Sequence, residues 1–147
     1  MSTDAELHRA VAGRLAEHDQ QYTVNRRAVV EALSGAGAPM SLPDLLAADA
    51  SLAQSSAYRC LATLVEVGVV RRLVHLGDHA LFELDEHLTE HHHHMICESC
   101  GVIVDVTLPD AVERTMDRAF GDVAATAGFA PRHHVVDIYG ECADCRD

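Results

Sequence analysis

Lysine is missing from this 147-residue chain, aromatic residues make up only 4% of it, and no apolar run approaches the length of a membrane span. Each shortage excludes something. Without about 20 consecutive apolar residues no transmembrane helix is expected. No signal peptide opens the chain, so a soluble, cytoplasmic protein without a membrane partner is expected. Eleven arginines are the only permanent cations against 23 acidic residues, and the formal charge of −12 argues against indiscriminate nucleic-acid binding, which needs a broadly basic surface. The imbalance is uneven along the chain. Residues 1–84 carry seven arginines and ten acidic residues, net −3, whereas residues 85–147 carry four and thirteen, net −9. An acidic, histidine-rich second half suits divalent cations. The 48% of hydrophobic residues is enough for one large domain or two small ones.

What is present concentrates in His91-His92-His93-His94-Met95-Ile96-Cys97-Glu98-Ser99-Cys100. If His91 to Cys97 is extended, His91 and His93 project to one face and His92 and His94 to the other, with same-face neighbours about 7 Å apart. Cys97-Glu98-Ser99-Cys100-Gly101 then forms a tight thiolate turn, and Cys142-Ala143-Asp144-Cys145 repeats the same spacing. Two such knuckles are the usual way to close a four-cysteine zinc site. Disulfides are the alternative, disfavoured in a reducing cytosol. Rubredoxin-like iron needs the same spacing, but nothing else suggests an electron carrier. Cys60 falls in an apolar helical pattern and reads as a small core residue.

From the start of the chain, Asp4 to Glu17 reads as an amphipathic helix through Leu7, Ala10, Val11 and Leu15. Thr23 offers an N-cap for a second helix, Val24 to Leu33, and Gly35 to Pro39 breaks the chain. Ser41 and Asp44 resemble a capping box for a short third helix with Leu42, Leu45 and Leu46 inward. Ser55 or Ser56 can cap a fourth, with Leu61, Leu64 and Val65 inward and Gly68 as its stop. Tyr58 and Arg59 lie near its N-terminal end on the opposite side, where a recognition helix makes its DNA contacts. Val69 to His75 and Ala80 to Leu84 are strand-like around a Gly77-Asp78 turn, so a hairpin is expected. This is the pattern of a winged helix-turn-helix. Further on, Thr107 to Asp110 can start a helix with Pro109 in its first turn and Val112, Met116 and Phe120 as an inward stripe. His133 to Tyr139 alternates as a strand leading into the second knuckle.

Four motifs, Tyr22-Thr23-Val24-Asn25-Arg26, Ser55 to Leu61, His91 to Gly101 and Ile138 to Cys145, together resemble the ferric uptake regulator (Fur) family, in that family's order and over nearly the whole chain. The resemblance implies an α+β fold: a winged-helix DNA-binding domain (1–84), a linker (85–90) and a small α/β dimerisation domain (91–147). It implies a dimeric, metal-dependent transcriptional repressor of iron or zinc homeostasis genes, acting on palindromic double-stranded DNA, and not an enzyme. On the same resemblance Cys97, Cys100, Cys142 and Cys145 bind structural zinc. Glu83, His92, His94 and Asp105 form a sensing site for iron(II) or zinc as co-repressor. His91, His93, Glu113 and His134 form a second metal site, and Arg26, Ser55, Ser56, Tyr58 and Arg59 face DNA.

The chain also departs from the family pattern. Ala38-Pro39-Met40 lacks the histidine many members carry before the third helix, so His75 or His87 is the expected substitute, and Asp85 or Glu86 can stand in for Glu83. No cysteine closes the wing, as it does in many zinc-sensing relatives, and Gln21 replaces a basic residue usual ahead of the second helix. Asp105 is of the acid type seen in peroxide-sensing relatives. Peroxide or nickel sensing, and metal storage, are therefore the alternatives. A zinc deaminase would need a His-x-Glu and Pro-Cys-x-x-Cys pairing that the chain lacks.

Overall fold

The structure, a computed structural model, describes residues 3–73 and 79–146, and it divides into two compact units, Met1–His91 and His92–Asp147. The first is built on four helices. Helix α1 (Asp4–Glu17) starts with a reciprocal capping box between Thr3 and Glu6 and buries Leu7, Val11 and Leu15, a spacing of four that keeps one face inward. Thr23 caps α2 (Val24–Gly35) by accepting from the Arg26 amide. The helix runs through Gly35, two residues past the expected stop at Leu33. His8 ties α1 to α2: its Nδ1 lies 2.6 Å from the Tyr22 hydroxyl and its Nε2 3.5 Å from Glu31. Burial pushes the Tyr22 hydroxyl up to about 12, so it remains a donor.

The capping box of Ser41 and Asp44 starts α3 (Leu42–Ala48), of which only Leu45 is fully buried. Leu42 and Leu46 pack against the core from its margin. Helix α4 (Gln54–Glu66) buries Ala57, Cys60, Leu61 and Leu64, at i, i+3, i+4 and i+7. Its start corrects the sequence reading. The cap is Ala53, which makes no side-chain bond, and Ser55 and Ser56 lie inside the first turn. Burying Ala57 together with Cys60 and Leu61 requires the helix to begin a turn ahead of Ala57, whose amide donates to the Ala53 carbonyl at 2.9 Å. Gly68 ends the helix at φ +78°, a conformation that side chains disfavour.

Strands β2 (Val70–Leu73) and β3 (Leu81–Leu84) follow as the expected antiparallel hairpin, with Arg71 opposite Glu83. The Gly77-Asp78 turn and His75 lie outside the described residues. A strand the sequence did not announce, β1 (Met40–Ser41), pairs with the far edge of β3, giving the order β1-β3-β2. Two residues are too few to show alternation. Sixteen buried residues from α1 to β3 make one core, including Leu15, Val29, Leu45 and Leu64 with no exposure. Each such aliphatic side chain removed from water contributes about 1.5–3 kcal/mol.

The second unit is a sheet with one helix. Strand β4 (His93–Cys97) lies between β5 (Ile103–Val106), antiparallel to it, and β6 (Asp137–Gly140), parallel to it. Helix α5 (Asp110–Thr126) occupies the crossover. Two expectations need correction here. The last strand covers Asp137–Gly140 rather than residues 133–139, because β4 offers pairing partners only from His94 to Cys97. The stripe of α5 is not core: no residue of the helix is buried, and Val112 and Phe120 are 43% and 39% exposed. Pro109 stands at the cap of this helix instead of inside its first turn. Among the described residues, Ile96, Cys97 and Ile103 are the only buried apolar side chains of the unit.

Candidate metal centres

Parallel pairing of β4 and β6 sets Cys97 opposite Gly140, so both strands end at one level and their knuckles emerge side by side. Each knuckle is a hydrogen-bonded turn: the Gly101 amide donates to the Cys97 carbonyl at 2.9 Å, and the Cys145 amide to the Cys142 carbonyl at 3.0 Å. Gly101, at φ +79°, lets the chain leave the first turn. The Glu98 amide donates to the Gly140 carbonyl at 2.8 Å and the Ser99 hydroxyl to Glu141 at 2.8 Å, joining one knuckle to the other. All five cysteines are free thiols, and the sulfurs of Cys97, Cys100, Cys142 and Cys145 lie within 4.8 Å of one another. Cys100 and Cys142 are 3.7 Å apart. A tetrahedron with zinc–sulfur bonds of about 2.3 Å has an edge of about 3.8 Å, so the donor set fits zinc.

Charge in the thiol cluster is distributed to match. Amide N–H groups of Cys142 and Cys100 point at the Cys97 sulfur, 3.4 and 3.5 Å away, and hold its thiol down at about 6. Hydrogen bonds from the Cys145 thiol to Cys142, Cys100 and Cys97 push it up to about 12. The Cys97 thiolate forms readily, whereas Cys100 and Cys145 resist ionisation until a cation arrives. Cys60 is apart from this cluster, buried in α4 at 7% exposure, with its thiol pushed up by burial.

The histidines ahead of Cys97 sort by strand alternation. His93 and His94 are both buried, at 2% and 3% exposure, on opposite faces of β4. On one face His93 Nε2 is 2.6 Å from Glu113 Oε1, and His134 Nε2 is 3.3 Å from the other oxygen of Glu113. The two imidazoles stack at 5.5 Å, with Phe120 against His134. On the other face His94 Nε2 is 3.5 Å from Asp105 Oδ1 and His92 Nε2 is 4.0 Å from Asp105 Oδ2, with the two rings edge to face. Register produces this, since Asp105 is paired with His94 across β4 and β5. Each group mixes imidazole with carboxylate, a donor set for borderline divalent ions rather than soft copper(I). His133 is exposed.

Of the other expected ligands, Glu83 is buried on β3 in an ion pair with Arg71, and His91 Nδ1 is 3.0 Å from Glu86. Asp85 and His87, named as substitutes, face each other at 2.6 Å. Two carboxylates escaped the sequence reading. Asp137 Oδ1 is 3.4 Å from His94 Nδ1, and Asp117 Oδ1 is 3.2 Å from His134 Nδ1. Asp117 was within reach of sequence logic, since it follows Glu113 by four residues on one helix face. Asp137 was not, because only the β4–β6 register brings it to His94.

At the other end of the chain, Tyr58 is 65% exposed and Arg59 is exposed near the start of α4, with Ser55 also open to solvent. The Arg26 guanidinium is engaged locally, donating to the Gln20 side chain and the Gln21 carbonyl. No helix among the described residues is long and apolar enough to cross a membrane.

A winged helix-turn-helix followed by a small metal-binding α/β unit is the architecture of a metal-responsive regulator. The chain belongs to the Ferric uptake regulator family, whose model matches residues 17–139. It is 31% identical to the Peroxide operon regulator of Bacillus subtilis over 137 residues, covering 89% of this chain and 88% of that one. Its fold is that of the Helicobacter pylori ferric uptake regulator, described as having three functional metal-binding sites, with a TM-score of 0.76, 21% identity and coverage of 99% and 95%. It is also similar to a zinc uptake regulator complexed with zinc and DNA, at a TM-score of 0.56 and 26% identity, covering 98% of this chain and 95% of that one. Matches to curated relatives span from 60% to 94% of the relative's length.

With so thin a core in the second unit, metal at the four-cysteine group is expected to be structural. Cys97→Ser or Cys142→Ser is expected to lower zinc content by about one equivalent per chain and to leave aggregated or monomeric protein. Metal analysis and size-exclusion chromatography check this, and a well-folded, zinc-free dimer would contradict it.

Proposed function

We propose that the protein is a homodimeric, metal-dependent repressor of metal-homeostasis genes that binds a palindromic operator when iron(II) or zinc occupies the His92–His94–Asp105 site. The observation that carries this reading is an imidazole–carboxylate cluster around buried His94, separate from the four-cysteine site, in a chain of this family. The thiolates would hold zinc permanently. The mixed site, with weaker and more exchangeable donors, would fill and empty with supply. Family resemblance adds Glu83, or its neighbours Asp85 and Glu86, as a ligand from the winged domain. His91, His93, Glu113 and His134 would hold a second ion.

Exposed Tyr58 and Arg59 on α4 support base and phosphate contact in the major groove, with Ser55 and Ser56 beside them and Arg26 toward the backbone. A chain of net charge −12 cannot rely on nonspecific attraction, so half-site pairing by a two-fold dimer would supply much of the affinity. The second unit offers a face for that dimer. Met95 is paired with Val104 on one side and Ile138 on the other, and all three are more than 40% exposed. An apolar row of this kind on a domain with so small a core marks an interface.

A second reading keeps the site and changes the signal. The Bacillus relative is named as a peroxide operon regulator, and Asp105 fits the peroxide-sensing type. With iron(II) bound, peroxide would oxidise His92 or His94. Gain of one oxygen on either residue after brief peroxide treatment of the iron-loaded protein separates this reading from plain iron or zinc sensing.

The double variant His92→Ala/His94→Ala is expected to lose metal-dependent binding to an operator fragment in fluorescence anisotropy while keeping its four-cysteine zinc. Metal-dependent binding that survives would refute the assignment. Ile138→Glu is expected to convert the dimer to monomer in sedimentation velocity, and an unchanged dimer would exclude this face as the interface.

A further inference from the structure

His94 sits at the middle of a row that runs straight across the sheet, with Asp105 opposite it on β5 and Asp137 opposite it on β6. The next row, Val104–Met95–Ile138, faces the other way. A buried imidazole, with only 3% of its surface exposed, is thereby placed between two carboxylates on one face. Water cannot orient such a ring, so its nitrogens depend on protein partners. Nε2 faces Asp105 at 3.5 Å and Nδ1 faces Asp137 at 3.4 Å.

The two carboxylates are not equivalent. Asp105 directs one oxygen to His94 and the other toward His92, so it stands where an ion shared by both imidazoles would lie. Asp137 stands behind the ring, on the nitrogen pointing away from that position. An ionised carboxylate only accepts, so with Nε2 given to an ion shared with Asp105 the ring's one proton lies on Nδ1, facing Asp137. Nδ1–H on Asp137 leaves the Nε2 lone pair for metal.

The same arrangement recurs on independent elements. Glu113 faces His93 Nε2 and His134 Nε2, while Asp117, one turn further along α5, is 3.2 Å from His134 Nδ1. Again one carboxylate lies between two imidazoles and another holds the far nitrogen of one of them. Asp137 is 26% exposed and Asp117 65%, so solvent weakens the second contact more.

We propose that Asp137 and Asp117 are positioning residues that set the ring orientation and tautomer of His94 and His134, so that each presents Nε2 to its metal. This rests on the metal-site reading above. Held in this way, the imidazole needs no reorientation when the ion arrives, and the carboxylate behind it raises its basicity as a ligand. The larger effect belongs to Asp137, the more buried of the two.

The test uses full-length protein retaining its four-cysteine zinc, with cobalt(II) as the probe metal competed against a chromophoric chelator, and ¹⁵N-histidine spectra of the cobalt-free state. Asp137→Ala is expected to weaken cobalt binding at the His92–His94–Asp105 site by about 10–100-fold and to move the His94 proton from Nδ1 to Nε2. Asp137→Asn keeps an accepting oxygen and is expected to restore most of the affinity and the Nδ1–H tautomer. Asp117→Ala should weaken only the site of His93, Glu113 and His134, and by less. Unchanged affinity and tautomer in Asp137→Ala would overturn the proposal. A loss as deep as that of His94→Ala, unrelieved by Asn, would overturn it too, by making Asp137 a ligand. His92→Ala separates the two claims: it weakens cobalt binding if the metal-site reading holds, whatever Asp137 does.

Discussion

Strand β4 hydrogen-bonds to a neighbour on each edge, antiparallel to β5 and parallel to β6, and the second unit's chemistry is set by that pairing. Pairing with β6 brings the Cys142 knuckle beside the Cys97 knuckle. Pairing with β5 brings Asp105 to His94, and the alternation of β4 itself sends His93 to the opposite face, toward Glu113 and His134. A slip of one residue against β6 would part the two cysteine knuckles, and one against β5 would turn Asp105 to the face opposite His94. Three candidate metal-binding groups thus share one geometric origin.

That dependence runs both ways. Buried apolar side chains in this unit amount to Ile96, Cys97 and Ile103 among the described residues, far fewer than the sixteen that hold the first unit. A domain so poorly provided with core needs other sources of stability, and cross-linking two knuckles through one ion is the most economical. Burial of the exposed Val104–Met95–Ile138 row in a dimer would be another. The first unit needs neither, since its helices close over one another by packing alone. The two units are thus held differently: the first by packing alone, and the second, on the proposed reading, by a thin core together with metal.

Much of this was legible in the sequence because the responsible signals are local. The capping box at Ser41–Asp44, the apolar spacing of α1 and α4, and the glycine stop at Gly68 each involve residues within a few positions of one another. Matched Cys-x-x-Cys turns are equally plain, and the order of four motifs carried the family. What escaped was set at a distance or by a partner. The start of α4 is decided by where Ala57 must be buried, not by the nearest serine. Helix α5 has an apolar stripe that the single chain leaves exposed, which composition cannot distinguish from core. Asp137 looks like any strand residue until the β4–β6 register places it at His94.

Zinc-edge X-ray absorption on the full-length protein, first with one equivalent of zinc per chain and then with two, tests the central claim most directly. The account predicts that the first ion is surrounded by four sulfurs at about 2.3 Å and that the second adds only nitrogen and oxygen neighbours at about 2.0–2.2 Å. Nitrogen or oxygen around the first ion, or sulfur around the second, would contradict a β4 strand that closes a thiolate site at its end and holds imidazole–carboxylate sites along its length.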